Sequence, residues 1–156
     1  MRQVGAMEQM YQDYKDIAEF RMVYITEAHA IDSDWPMGVA EEKNIKQHTE
    51  YDERCATAEM LISDEELTIP TLIDGMDNAV NQAYRAHPDR VFLIRSDGRL
   101  AVAAERGPWG FAPGLEAAQE WLADFRENGS EPELPEGLLE AADERAAAKD
   151  KKSDDK

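Results

Sequence analysis

A chain of 156 residues with 42% hydrophobic and 33% charged residues has room for one core, so a single globular domain with a tail is expected. Its formal net charge of −17 and pI near 4.4 repel nucleic-acid phosphates and anionic membranes, and neither is an expected partner. No apolar run approaches the ~18 residues of a membrane span, Met1 to Gly5 lack the apolar stretch of a signal peptide, and a cytoplasmic location is the expectation. The one cysteine, Cys55, can form neither an internal disulfide nor a Cys-only metal site.

Residues 1–20 read as an amphipathic helix, with Val4, Met7, Met10 or Tyr11, Tyr14 and Ile17 recurring at three- and four-residue steps. Met22-Val23-Tyr24-Ile25 is a short β-branched and aromatic strand. A polar connection follows from Ala28 to about Gln47, with turns at Trp35-Pro36 and Gly38. Thr49 and Asp52 resemble a helix-start box, and the helix after it carries Tyr51, Cys55, Ala58 and Ile62 on one face. Ile69 to Asp74 is a second strand, and a short helix from about Asp77 is expected to bury Val80, Ala83 and Tyr84. Val91 to Ile94, the turn Ser96-Asp97-Gly98 and Leu100 to Val102 form a β-hairpin. The loop Arg106-Gly107-Pro108-Trp109-Gly110-Phe111 then leads to a helix with Leu115, Ala118, Leu122 and Phe125 inward. The order α-β-α-β-α-β-β-α is an α/β pattern of parallel strands with an antiparallel hairpin edge. Residues 1–127 form the domain; 128–156 form an acidic tail, weakly helical over 134–148 and disordered in its last eight residues.

Three histidines could carry chemistry: His29, His48 and His87. His29 and Glu27 follow the first strand, at the carboxyl end where open α/β sheets bind ligands, and an imidazole beside a carboxylate suits proton transfer. The plain alternative is a solvated ion pair. His48 opens a helix and reads equally as a surface residue, while His87, before Pro88, reads as inert. The spacing of His29, His48 and Glu27 fits no tight zinc motif, so no metal is expected. Arg106 could hold an anionic group bidentately or simply pair with one of many acids, and Cys55 reads as a core residue rather than a nucleophile.

Taken together, the segments resemble the iodothyronine deiodinase family. The likeness lies in Val23-Tyr24-Ile25-Thr26-Glu27-Ala28-His29 running on to Trp35, in Ile45-Lys46-Gln47-His48, and in Asp52-Glu53-Arg54 before an apolar helix. It continues in Asp74-Gly75-Met76-Asp77-Asn78, the hairpin around Gly98, and Arg106 to Phe111. Each motif is weak alone; their shared order over residues 1–126 is specific. The resemblance implies a thioredoxin-like fold and reductive dehalogenation of an iodinated or halogenated phenol. In that chemistry a selenolate or thiolate attacks iodine while the ring carbon is protonated. It implies that His29 contacts substrate and handles the proton, that Glu27, Tyr24 and His48 complete a relay, and that Arg106 holds the phenol end. It also implies a thiol reductant as electron donor, with no bound cofactor, and leaves a homodimer open.

The family's nucleophile sits in a strand and a Thr-selenocysteine-Pro-like turn ahead of the first helix, and here Met1 already lies in that helix. The expectation is therefore a thioredoxin-like fold lacking its first, central strand, with a strand-wide gap between the segments holding Val23 and Thr71 or an abnormal pairing that closes it. An upstream in-frame UGA codon read as a stop accounts for this economically. Two rivals remain: a thiol peroxidase or thiol-disulfide reductase of the same fold, and a non-catalytic module that binds a halophenol.

Overall fold

The computed structural model describes residues 2–133. Helix α1 (Arg2–Tyr14) leads to strand β1 (Met22–Tyr24), the one-turn helix α2 (Val39–Glu42) and helix α3 (Tyr51–Asp64). Strand β2 (Thr71–Ile73), the short helix α4 (Ala79–Tyr84), the hairpin strands β3 (Phe92–Ile94) and β4 (Leu100–Ala103), and helix α5 (Phe111–Asn128) complete the order. Only α2 was hidden in the sequence, inside the polar connection. The chain divides after Leu122 into two units, and the second is described only through the end of α5 to Glu133. The weak helix expected over 134–148 and the disordered last eight residues lie outside the described residues.

The core of the first unit forms where α1 meets α5. Met10 and Tyr14 pack with Phe111, Leu115, Ala118 and Leu122, and Val91 and Leu93 lean on the same cluster. Three- and four-residue spacing puts each set on one helix face, and burying a large side chain of this kind contributes about 1.5–3 kcal/mol. Gly114 lets α5 lie close on β4, because a Cβ there would stand 2.2 Å from that of Ala104. On the other side of α1, Glu8 accepts the backbone amides of Thr68 (3.0 Å) and Ile69 (3.1 Å), tying the helix to the lead-in of β2.

Strands β1 and β2 pair directly and in parallel, with Met22 opposite Thr71, Val23 opposite Leu72 and Tyr24 opposite Ile73. Of the two expected outcomes, a strand-wide gap or a pairing that closes it, the gap is absent and the segments pair directly, so no strand lies between them. The connection through α2 and α3 supplies the long crossover that a parallel pair requires. Strands β3 and β4 form a separate antiparallel pair, and among the described residues no ladder joins it to β1 or β2. The strands are correspondingly under-covered. All of β1 is only half-buried, and Leu72, Ile94 and Leu100 remain 54%, 53% and 48% exposed. The class is mixed α/β, built on two two-stranded sheets. The hairpin turns as its Asp-Gly signal requires: Gly98 takes a φ of +82° and its amide bonds the Arg95 carbonyl at 3.0 Å.

Helix α3 is rotated from the expected face. Arg54 and Ala58 are buried, whereas Tyr51 is 45% exposed and Cys55 only half-buried. The cause is the Arg54 guanidinium, whose Nη1 donates to the carbonyls of Asp74 (3.0 Å) and Gly75 (2.7 Å). At its start Glu53, not Asp52, accepts the amides of Thr49 (2.9 Å) and Glu50 (3.3 Å), since the longer side chain reaches back. Helix α4 does not bury its expected residues: Val80 is half-buried, and Ala83 and Tyr84 are exposed. It is held instead by buried Asp74, which accepts the amides of Val80 (3.0 Å) and Asn81 (2.9 Å).

Candidate functional site

The chain leaves β1 at Tyr24, and the next five residues carry the polar groups of the site. The Tyr24 hydroxyl donates to Glu27 Oε1. Burial pushes the Glu27 carboxyl up, and the charge of His29 pulls it partly back. Gln47 fixes this turn. Its Nε2 donates to the Glu27 carbonyl at 2.6 Å, and its Oε1 accepts from the Thr26 hydroxyl at 2.9 Å and the Glu27 amide at 3.3 Å. The Gln47 amide in turn donates to Asp32 at 2.8 Å, and the Ile31 amide to the Ile45 carbonyl at 2.9 Å. One glutamine thus pins the loop after β1 to the segment that carries His48.

A pH effect follows from Glu27. Unfolded it titrates near 4.5, and folded its pKa is higher, so between the two the folded chain keeps a proton that the unfolded chain has lost. Its contribution to stability is full below the unfolded value and is lost as pH rises through the folded one. Glu27→Gln keeps an acceptor for Tyr24 and carries no charge. The variant's thermal midpoint, relative to the parent's, is expected to be higher at neutral pH than at about pH 4. An offset that does not change with pH would show that the charge is not strained.

His29 Nδ1 lies 3.0 Å from the Trp35 carbonyl, and the two rings meet edge-on at 6.1 Å. A carbonyl can only accept, so Nδ1 carries a proton and Nε2 is the atom free to exchange one. Asp89, before β3, gives no signal in the sequence. Its Oδ1 is buried without a hydrogen-bond partner and sits where a Gly107 Cβ would be, at 1.9 Å, while the Gly107 amide donates to the Asp89 carbonyl at 3.0 Å. Burial raises its carboxyl, and the charges of His29 and then His87 lower it. Asp89 therefore touches the loop that presents Arg106 and stands within electrostatic reach of His29; His87, expected to be inert, adds to that field. Arg106 itself is exposed and makes no ion pair among the described residues. In a chain of net charge −17 a free guanidinium is available to an incoming anion.

His48 stands with its ring 6.1 Å from that of Tyr24 and its Nε2 2.9 Å from the Thr57 hydroxyl on α3. Its Nδ1 is buried without a partner. Burial and then the Arg54 charge hold its pKa below the ordinary imidazole value, with Glu53 pulling the other way. Tyr24, Glu27, His29 and His48 are thus gathered around the end of β1. Arg106 meets none of them directly and is linked to His29 only through Asp89. Cys55 is half-buried on α3, one turn after Tyr51. The gathered groups are all proton donors or acceptors, held together on a mixed α/β scaffold.

The sequence profile of the iodothyronine deiodinase family matches residues 1–125. The chain belongs to the iodothyronine deiodinase family. It is 31% identical over 110 residues to the type I iodothyronine deiodinase of Xenopus laevis, covering 70% of this chain and 42% of that protein. It is 31% identical over 129 residues to the thyroxine 5-deiodinase of Sparus aurata (81% and 45%) and 32% identical over 127 residues to the type II iodothyronine deiodinase of Rattus norvegicus (78% and 46%). The chain spans less than half the length of these relatives. No helix among the described residues is long and apolar enough to cross a membrane.

Proposed function

We propose that this chain forms the substrate-holding and proton-handling part of a deiodinase-like reductive dehalogenase with a thioredoxin-like sheet, acting on a halogenated phenol. The observation that carries it is His29, whose Nδ1 is fixed by the Trp35 carbonyl and whose Nε2 is free, beside the Tyr24–Glu27 pair. In the proposed reaction a selenolate or thiolate forms a bond to the halogen, the carbon–halogen bond breaks, and its electron pair stays on the ring carbon. That carbon takes a proton delivered through His29, with Glu27, Tyr24 and His48 resupplying it. A thiol reductant then attacks the selenenyl or sulfenyl halide, releases the halide and leaves as disulfide after a second thiol reacts. The nucleophile is none of the residues gathered at the site, and Cys55 lies on α3 with Tyr51.

The two half-sheets support a further element of this reading. A strand running between β1 and the β3–β4 hairpin, and carrying the nucleophile at its end, joins them into one sheet and covers their half-exposed residues. Arg106 receives the phenolate. Equilibrium binding of a diiodophenol to the chain tests this: Arg106→Lys keeps the charge but loses the planar fork, and about tenfold weaker binding is expected, the equivalent of one hydrogen bond to a charged group. Unchanged affinity would return Arg106 to an ordinary surface role.

A further inference from the structure

The relay assigned to His48 above leaves open which of its nitrogens takes a proton and what keeps it ready; the inference below rests on that reading. Thr57 answers the first question. Its hydroxyl lies 3.1 Å from the Glu53 carbonyl and 2.9 Å from His48 Nε2. A carbonyl can only accept and the hydroxyl has one proton, so the one arrangement that satisfies both contacts has Thr57 donate to Glu53 and accept from His48. The network therefore puts the imidazole proton on Nε2. Nδ1, buried and without a partner, is left as a bare lone pair.

Arg54 answers the second. It lies three residues before Thr57 and so on the same face of α3. It is 2% exposed, spends Nη1 on two backbone carbonyls, keeps a buried Nε without a partner, and makes no ion pair among the described residues. A buried positive charge with no carboxylate against it disfavours a second one nearby. The other charged groups around His48 are engaged elsewhere or open to solvent. From α3, Glu53 is held by the Thr49 and Glu50 amides; of the residues lining the cavity of about 410 Å³ beside the ring, Asp32 accepts the Gln47 amide, Lys43 is paired with Asp64, and Lys46 is exposed. From β1 comes Tyr24, whose hydroxyl is donated to Glu27.

We propose that Arg54 and Thr57 are positioning residues that hold His48 with its proton on Nε2, so that Nδ1 is the ring's one site for a second proton. The test is a nitrogen-15 NMR titration of the histidines in the 156-residue chain. His48 is expected in the Nε2–H form, protonating at Nδ1 below the ordinary imidazole midpoint of 6.5. Arg54→Gln should move that midpoint upward, and Arg54→Lys, which keeps the charge but not the fork, should restore it. A role that is only structural predicts the reverse grouping, with Lys and Gln alike. If replacing a buried arginine unfolds the chain, Thr57→Val still decides. This near-isosteric change removes the acceptor, and the Nε2–H signal should give way to a mixture of the two tautomers. An Nδ1–H form in the parent, or a tautomer indifferent to Thr57→Val, would overturn the proposal. The measurement needs no substrate, so failure of the dehalogenase reading would leave its result intact.

Discussion

Replacing His29 by alanine is expected to slow dehalogenation of an iodophenol by about 10²–10⁴-fold, the usual contribution of a general acid–base group. The comparison is made in a chain given a Thr-Cys-Pro or Thr-selenocysteine-Pro turn and its strand ahead of α1. His29 is held at one nitrogen by the Trp35 carbonyl, which leaves Nε2 open to exchange a proton. Tyr24 and Glu27, hydrogen-bonded to each other, stand behind it in the proposed relay rather than in its place. His87→Ala is the control. That residue is exposed, and its part in the site is a field at Asp89 weaker than the effects of burial and of His29. A loss of well under tenfold is expected for it. Equal activities for the two variants would remove His29 from the chemistry.

The same glycine-to-alanine change is expected to act with opposite signs at two positions. Gly5 lies in α1 with nothing within 4 Å of a new Cβ, so Gly5→Ala should stabilise by about 0.5–1 kcal/mol through helix propensity. At Gly110 the new Cβ would stand 2.0 Å from the Glu105 carbonyl oxygen and 2.2 Å from its carbon. Those are backbone atoms, with no rotamer to turn aside, so the loop must move. Overpacking of this kind costs about 1–3 kcal/mol or more. Because the Gly110 amide bonds the Arg106 carbonyl at 3.1 Å, the shift also displaces the guanidinium. Urea midpoints should therefore rise for Gly5→Ala and fall for Gly110→Ala, and only the second should weaken diiodophenol binding. A tolerated Gly110→Ala would mean that the loop is looser than its contacts indicate.

Some of this was legible in the sequence and some was not, for identifiable reasons. The hairpin was plain because Asp97-Gly98 sits between two β-rich runs and Gly98 supplies the positive φ that the turn needs. Leu115, Ala118 and Leu122 on the inward face of α5 followed from spacing alone, while Phe125 is only half-buried. The α3 face was misread because periodicity counts apolar residues, and here the buried position belongs to an arginine that finds two carbonyls across the fold. Gln47 and Asp89 were missed for a related cause. Their partners, the Thr26–Glu27 turn and Gly107, are about 20 residues away in sequence, and neither residue type signals its role. The site cluster of Tyr24, Glu27 and His29 lay within one short segment after a strand, where local sequence suffices. Whether the segments of Val23 and Thr71 would stand apart or pair directly was not legible, since sequence order says nothing about which strands pair.

The most direct test of the account is the release of halide from a diiodophenol by the chain bearing that nucleophilic turn, with a dithiol as reductant. The account expects iodide and the mono-deiodinated phenol in equal amounts, both dependent on the turn's cysteine or selenocysteine. A folded chain that binds the phenol yet releases no iodide, or one that reduces peroxides or disulfides and leaves the carbon–iodine bond intact, would contradict it.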